Sequence, residues 1–375
     1  MAKFPLFEME RYQSEYWHVV AHDLSESGVL PMTIRDLLGP AADAEAFLAT
    51  ALGYPLSEGA HASREAIADW YPGATAANVT MMNGGSEANM LTLWSLLRPG
   101  DRLAFMVPNY CQGLGLGGVF GAAVDTFPLV PDGDRWTLDL DALDRAVGKK
   151  TRALMVCNPN NPTGAVLSEG EMEAVVEVAE RAGAWIVADE IYRGAEVDTD
   201  ATSPTFWGRA ERVVVTSGLS KAFAMPGLRV GWTVAPPKIV ERIWRRHDYT
   251  TLTPGMLSDR LTGWAMQPPI RESILGRTRA IIRANLPPVE AWFAEQPVLR
   301  YRRPVAGAIA FATADVPLST RALVERIREE QSVLLVPGEM LGIDNGIRIG
   351  FGYQIDETME GLALVGKTLA SVGAP

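Results

Sequence analysis

Short apolar runs alternate with amphipathic stretches between about residues 76 and 235. The runs at 78–82, 102–107, 123–127, 151–157, 185–188 and 213–216 read as strands. Those at 151–157, 185–188 and 213–216 are almost continuously apolar, the mark of strands buried on both faces. Stretches at 86–97, 138–147 and 169–182 read as helices. Buried strands alternating with helices predict an α/β domain, a mostly parallel sheet covered on both sides. Beyond residue 270 the pattern changes. A helix is expected over 271–293, kinked or broken by Pro287 and Pro288. Strands at 307–313, 332–336 and 347–349, a helix at 320–331 and a closing helix at 355–370 predict a smaller α+β domain. The short segment before residue 32 must pack on another part of the chain. The expected division is a large domain over 33–270 and a small one from 1–32 plus 271–375.

Composition narrows the class. With 375 residues, 47% apolar and 21% charged, the chain reads as a soluble globular protein of about two domains. A formal net charge of −11 argues against a nucleic-acid partner, whose phosphates would be repelled. Only Cys111 and Cys157 occur, too few for a disulfide framework, so a reducing, cytoplasmic setting is expected. The first 20 residues carry Lys3, Glu8, Glu10, Arg11, Glu15 and His18, and no apolar run reaches the ~20 residues a membrane span needs. No Cys/His cluster has metal-ligand spacing. The glycine-rich stretch 113–121 lacks the strand–turn–helix context of a dinucleotide fingerprint.

Four segments carry candidate chemistry, each expected at the carboxyl end of a strand, where open α/β sheets bind ligands. Asn83-Gly84-Gly85-Ser86 opens a helix, whose N-terminus offers free N–H groups to a phosphate. A plain glycine turn capped by Ser86 would read the same way. Asn158-Pro159-Asn160-Asn161-Pro162-Thr163-Gly164 is a stiff turn able to aim an amide into a cleft. Asp189-Glu190-Ile191-Tyr192 ends a buried strand in a carboxylate, which is costly without a cationic or hydrogen-bonding partner. In Ser217–Gly231, Lys221 stands among small and apolar residues, and Arg229 follows eight positions later. A desolvated lysine tends toward its nucleophilic amine form, and an arginine can grip a phosphate.

Together the Asn-Pro-Thr-Gly, Asp-x-x-Tyr and Ser-Lys-x7-Arg series resembles the class I/II aminotransferases, pyridoxal 5'-phosphate (PLP) enzymes of fold type I. The resemblance runs from about Leu24 to the C-terminus. It implies that Lys221 binds PLP covalently and shuttles the substrate proton. It implies that Asp189 pairs with the pyridinium nitrogen, and that Tyr192 and Asn161 bond the ring hydroxyl oxygen. Gly84, Gly85, Ser86, Arg229 and Ser220 would hold the phosphate, Tyr110 would stack on the ring, and Arg348 would clamp the substrate α-carboxylate. Gly53–Gly59 resembles the family segment whose tyrosine reaches the neighbouring subunit's phosphate, so Tyr54 implies a homodimer.

Two stretches depart from the family. Many relatives carry a Gly-x-Pro turn near the N-terminus, whereas here Glu26-Ser27-Gly28-Val29 stands in that region, making Glu26 and Gly28 candidate substrate contacts. After Gly59 the chain reads Ala60-His61-Ala62-Ser63-Arg64, where relatives often have Leu-Pro-Glu-Leu-Arg. The Ser25–Val29 element also resembles the capreomycidine synthases, which lie in the same fold family and cyclise a hydroxylated arginine. Glu26 would then meet a cationic side chain; otherwise it is a solvated acid. His61 is a pocket or a surface residue, and Tyr16, Trp17, Tyr249 and Trp264 are pocket aromatics or core. The implied reaction moves an amino group from an L-amino acid to a 2-oxo acid. The alternative is a PLP-dependent lyase or cyclase, built on the same lysine, aspartate and arginine.

Overall fold

In the computed structural model, which describes residues 4–39 and 44–373, the strands assemble into three sheets. The largest has eight strands in the order Val79–Met82, Gly231–Val234, Val213–Gly218, Trp185–Asp189, Thr151–Cys157, Arg102–Val107, Ala123–Asp132 and Arg135–Leu138. Its five central strands, Val213–Gly218 through Ala123–Asp132, pair in parallel. Gly231–Val234 runs antiparallel to both of its neighbours, and Arg135–Leu138 closes the far edge antiparallel. Two inversions restore direction, so Val79–Met82 points the same way as the parallel strands. Val213–Gly218 and Val79–Met82 are buried at every position, as their unbroken apolar character requires.

A four-stranded antiparallel sheet follows, in the order Leu299–Arg302, Ile309–Ala314, Gly346–Gly350, Val336–Pro337. A two-stranded parallel ladder ties the N-terminal His22–Asp23 to Val333–Leu334. The early segment thus packs on the C-terminal region, and Leu24 and Val29 join the buried core.

Two expectations fail for physical reasons. Pro287 and Pro288 do not break their helix, which runs as one element over Pro268–Ala294. Two lost backbone bonds are outweighed by burial on both sides of the prolines, with Ile282, Leu286, Val289 and Trp292 in the core. The Asn285 amide also bonds the Phe351 and Tyr353 carbonyls, pinning the helix there. The second failure is the glycine stretch, which forms a helix, Gln112–Val119, after a strand. Its glycines permit close packing: a Cβ at Gly113 would lie 2.7 Å from Met155 and Phe105, and one at Gly117 2.6 Å from Val124.

Candidate active site

The parallel strands deliver their following residues to one end of the sheet. Asn109 and Tyr110 follow Val107, the 158–164 turn follows Cys157, Asp189 ends its own strand, and Ser220 and Lys221 follow Gly218. Gly84–Ser86 follows Met82 at the same end. Arg229 reaches it from the other chain direction, because Gly231 pairs with both Gly218 and Met82. Arg348 enters from the second sheet, in register with Phe311 and Val336.

These residues line one cavity of about 810 Å³. Gly85, Ser86, Tyr110, Asn161, Asp189, Tyr192, Ser220, Lys221, Arg229, Arg348 and Glu26 all face it. Gly84 sits just behind, with a φ of +103°, and a Cβ there would fall 2.4 Å from the Arg229 guanidinium. Gly28 is likewise a supporting residue: its N–H donates to Glu26 at 2.9 Å.

Lys221 is the only lysine among the described residues that is not exposed; Lys149, Lys150, Lys238 and Lys367 all face solvent. Its Nζ donates to Glu26 Oε1 at 2.6 Å. Burial works against the ammonium, but Glu26 and Tyr192 outweigh it and hold the lysine above its ordinary pKa. Burial likewise works against the Glu26 carboxylate, and the Lys221 charge and hydrogen bond pull its pKa below the usual range. Glu26 is therefore an ion-paired group of the cavity, not a freely solvated acid.

Asp189 is 9% exposed. Its carboxylate accepts from Asn89 Nδ2 at 2.8 Å and from the Ile191 N–H at 3.1 Å. No cation among the described residues pairs with it, and burial pushes its pKa up against those two bonds. Tyr192 donates to Ser27 at 2.9 Å. The Tyr110 hydroxyl donates to Glu10 at 2.8 Å and lies 3.2 Å from Ser86 Oγ. Arg348 is 1% exposed, donates to Asn161 Oδ1 at 3.0 Å and to the Ser25 carbonyl at 2.5 Å, and keeps its Nε without a partner. Burial lowers its pKa, with nearby Tyr192, Glu26, Glu10 and Asp23 acting in the opposite sense.

A statistical model of the family described as aminotransferase class I and II matches residues 37–363. The chain belongs to that family. A PLP-dependent aminotransferase from Streptococcus suis superposes with a TM-score of 0.92 at 28% identity, covering 100% of both chains. A probable N-succinyldiaminopimelate aminotransferase of Mycobacterium tuberculosis is 36% identical over 174 residues, 46% of this chain. That match spans 44% of the relative's own length. Capreomycidine synthase of Streptomyces vinaceus is 29% identical over 297 residues, 78% of this chain and 75% of its own.

The site fits the family's cofactor on its own geometry. Asp189 is a buried carboxylate still lacking a cation, which a protonated pyridine nitrogen would supply. The helix Gly85–Leu96 begins without a side-chain cap, so its first N–H groups are open to an anion, with Arg229 beside Gly84.

Other candidates lie elsewhere. Tyr54 is 86% exposed and sits in a surface groove with Leu52, Pro55, Thr251 and residues 253–258, outside the cavity of its own chain. His61 is a surface residue beside Glu65. Trp17 lines the cavity and Tyr249 is exposed, so neither is core. Tyr16 lies under the Arg328 guanidinium, and the Trp264 indole donates to the Leu37 carbonyl. Sequence reasoning passed over Asn89, Glu10, Asp23 and Ser27. The one available signal was Asn89 itself, a polar residue on a buried helix face three positions after Ser86.

Proposed function

We propose that this protein is a PLP-dependent aminotransferase, moving the amino group of an L-amino acid to a 2-oxo acid. The observation that carries the reading is the meeting of Lys221, Asp189 and Arg348 in one cavity from three separate strands or strand ends. The cofactor, when bound, supplies an electron sink for the substrate's α-carbon. Everything else falls to the chain. Lys221 provides the amine that bonds the cofactor and then carries a proton at Nζ to and from the α-carbon. Asp189 holds the pyridine nitrogen protonated. Asn161 presents its NH2 group, because its oxygen already accepts from Arg348, and Tyr192 presents its hydroxyl. The helix start at Gly85 and Ser86, with Arg229 and Ser220, receives the phosphate. Tyr110 covers the ring. Arg348, a buried guanidinium in the cavity lining with a planar fork of donors, receives the substrate carboxylate.

The exposed Tyr54 and its groove suit a homodimer in which that tyrosine completes the partner's phosphate site. No helix among the described residues is long and apolar enough to cross a membrane. That, with two free cysteines, supports work in the cytoplasm.

A second reading, a lyase or cyclase on the same cofactor, draws support from Glu26. Its carboxylate 2.6 Å from Lys221 Nζ gives the site another proton-handling group, which elimination chemistry can use. The likeness to capreomycidine synthase points the same way. The test adds single L-amino acids to the cofactor-loaded enzyme with no oxo acid present. Transamination stops at one oxo acid per site, with lasting loss of the lysine-bound cofactor's visible band. Continued product formation with a recovering band overturns it in favour of the lyase or cyclase.

A further inference from the structure

The cavity's charges are not used up by the roles above. Its lining holds three fixed cations, Lys221, Arg229 and Arg348, and five carboxylates, Glu10, Asp23, Glu26, Asp189 and Glu357. On the reading under Proposed function, Lys221 becomes part of the cofactor linkage, Arg229 faces phosphate, Arg348 faces the α-carboxylate and Asp189 faces the ring nitrogen. Glu10, Asp23, Glu26 and Glu357 remain, and His18 and His22 are the only other titratable nitrogens in the lining. The bond from Lys221 is the sole ion pair that Glu26 makes among the described residues, so using the lysine amine for the cofactor leaves that carboxylate with only the more distant field of Arg348.

The four acids converge from three elements. Glu10 lies on the helix Glu8–Tyr16, Asp23 and Glu26 on the strand His22–Asp23 and the loop that follows it, and Glu357 in the first turn of Ile355–Val372. Glu357 makes no ion pair or side-chain hydrogen bond among the described residues. Tyr353 and Trp17 line the same cavity and add aromatic faces. Burial pushes the Tyr353 phenol up to about 12, with the negative fields of Glu26 and Asp23 adding to it and Lys221 opposing. Arg348, at the cavity wall, receives the ligand's α-carboxylate on the same reading. A side-chain carboxylate would find no third arginine in the lining and would face four like charges.

We infer that the substrate is an α-amino acid whose side chain ends in a cation, a guanidinium or an ammonium, received by Glu10, Asp23, Glu26 and Glu357. The inference deepens the proposed function and depends on it. Aromatic faces beside carboxylates are a favourable setting for such a group, through cation–π attraction and charge-assisted hydrogen bonds.

The experiment titrates the cofactor-loaded enzyme with L-arginine, L-lysine, L-citrulline, L-norleucine, L-glutamate and L-alanine. The readout is the half-saturating concentration for the change in cofactor absorbance, independent of turnover. L-citrulline matches arginine in shape without its charge, and norleucine does the same for lysine. Arginine or lysine should half-saturate at least about 10-fold lower than its neutral counterpart, about 1.4 kcal/mol. Which of the two wins identifies the cation, and either supports the inference. In Glu357→Gln and Glu10→Gln proteins that ratio should shrink, and being taken within one protein it is insensitive to partial misfolding. Equal or tighter half-saturation by citrulline, norleucine or glutamate overturns the inference while leaving the aminotransferase reading intact. Failure of every amino acid, alanine included, to perturb the spectrum overturns that reading and the inference with it.

Discussion

Replacing Glu26 by glutamine separates the two halves of the Lys221 pair. Two unit charges 2.6 Å apart attract by about 1.6 kcal/mol at the dielectric of water and about 6 at an effective value of 20. The side chains are 22% and 24% exposed, so screening is partial, and both lose hydration. Taking ~1.5–3 kcal/mol for a hydrogen bond between charged groups, Glu26→Gln should weaken the hold on the ammonium by about that much and lower the Lys221 pKa. The sign follows from the environment left behind: burial and the Arg348 charge both disfavour the ammonium once Glu26 is neutral. The assay mixes cofactor-free protein with PLP over a range of pH, traps the lysine adduct with borohydride and measures its rate by peptide mass. The inflection should move to lower pH, with faster capture near neutrality. Loss of a negative charge also attracts PLP, but that raises the whole profile without moving its inflection. An inflection within about 0.3 units of the parent's refutes the electrostatic account. Stability should follow the same pair. Glu26 is depressed and Lys221 raised, so the pair stabilises the cofactor-free fold above the unfolded carboxylate range and below the unfolded lysine range. That stability is lost as pH falls through the Glu26 pKa or rises through that of Lys221.

Further expectations concern other parts of the site. Lys221→Ala should abolish covalent cofactor attachment and reduce turnover by about 10³-fold or more, measured by mass and steady-state rate; an active protein refutes the lysine's role. Gly84→Ala places a Cβ 2.4 Å from the Arg229 guanidinium at a φ of +103°, so PLP affinity in a fluorescence titration should fall at least about 10-fold. An unchanged affinity would move the phosphate elsewhere. Arg348→Gln should raise the half-saturating amino-acid concentration by about 100-fold, roughly 2.7 kcal/mol, while PLP affinity stays within about twofold. Tyr54→Ala removes a side chain that is 86% exposed in the single chain, so circular dichroism should not change. PLP affinity should nevertheless drop if the partner subunit uses that tyrosine, and an unaltered affinity in a dimer seen by sedimentation would exclude it.

Much of this molecule is legible in its sequence because continuous apolar strands and capped helices announce themselves locally. The helix Glu169–Ala182 begins at a capping box of Ser168 and Glu171 and ends at Gly183 in the left-handed region. Strand Thr151–Cys157 is buried at six of seven positions, so its apolar run has no competing explanation. What escaped reading depends on distant partners. Gln112–Val119 carries four glycines, and the walls presented by Phe105, Met155 and Val124 explain two of them, Gly113 and Gly117. The helix through Pro287 is held by burial that no local pattern displays. At the site, residues beside glycines and prolines were visible as a constellation. Asp23, Glu10 and Ser27 were not, because a lone carboxylate or hydroxyl on a short N-terminal helix, strand or loop reads as solvent-facing until the fold turns it inward. Glu26 shows the limit best: its partner Lys221 lies 195 positions away.

The central claim is that Lys221 is the cofactor-bearing lysine of this site. Borohydride reduction of the PLP-loaded protein, proteolysis and mass mapping test it most directly, since every other described lysine is exposed. The expected result is the mass of the reduced cofactor on the peptide containing Lys221 and on no other. Label on Lys149, Lys150, Lys238 or Lys367 instead, or no label at all, would contradict the account.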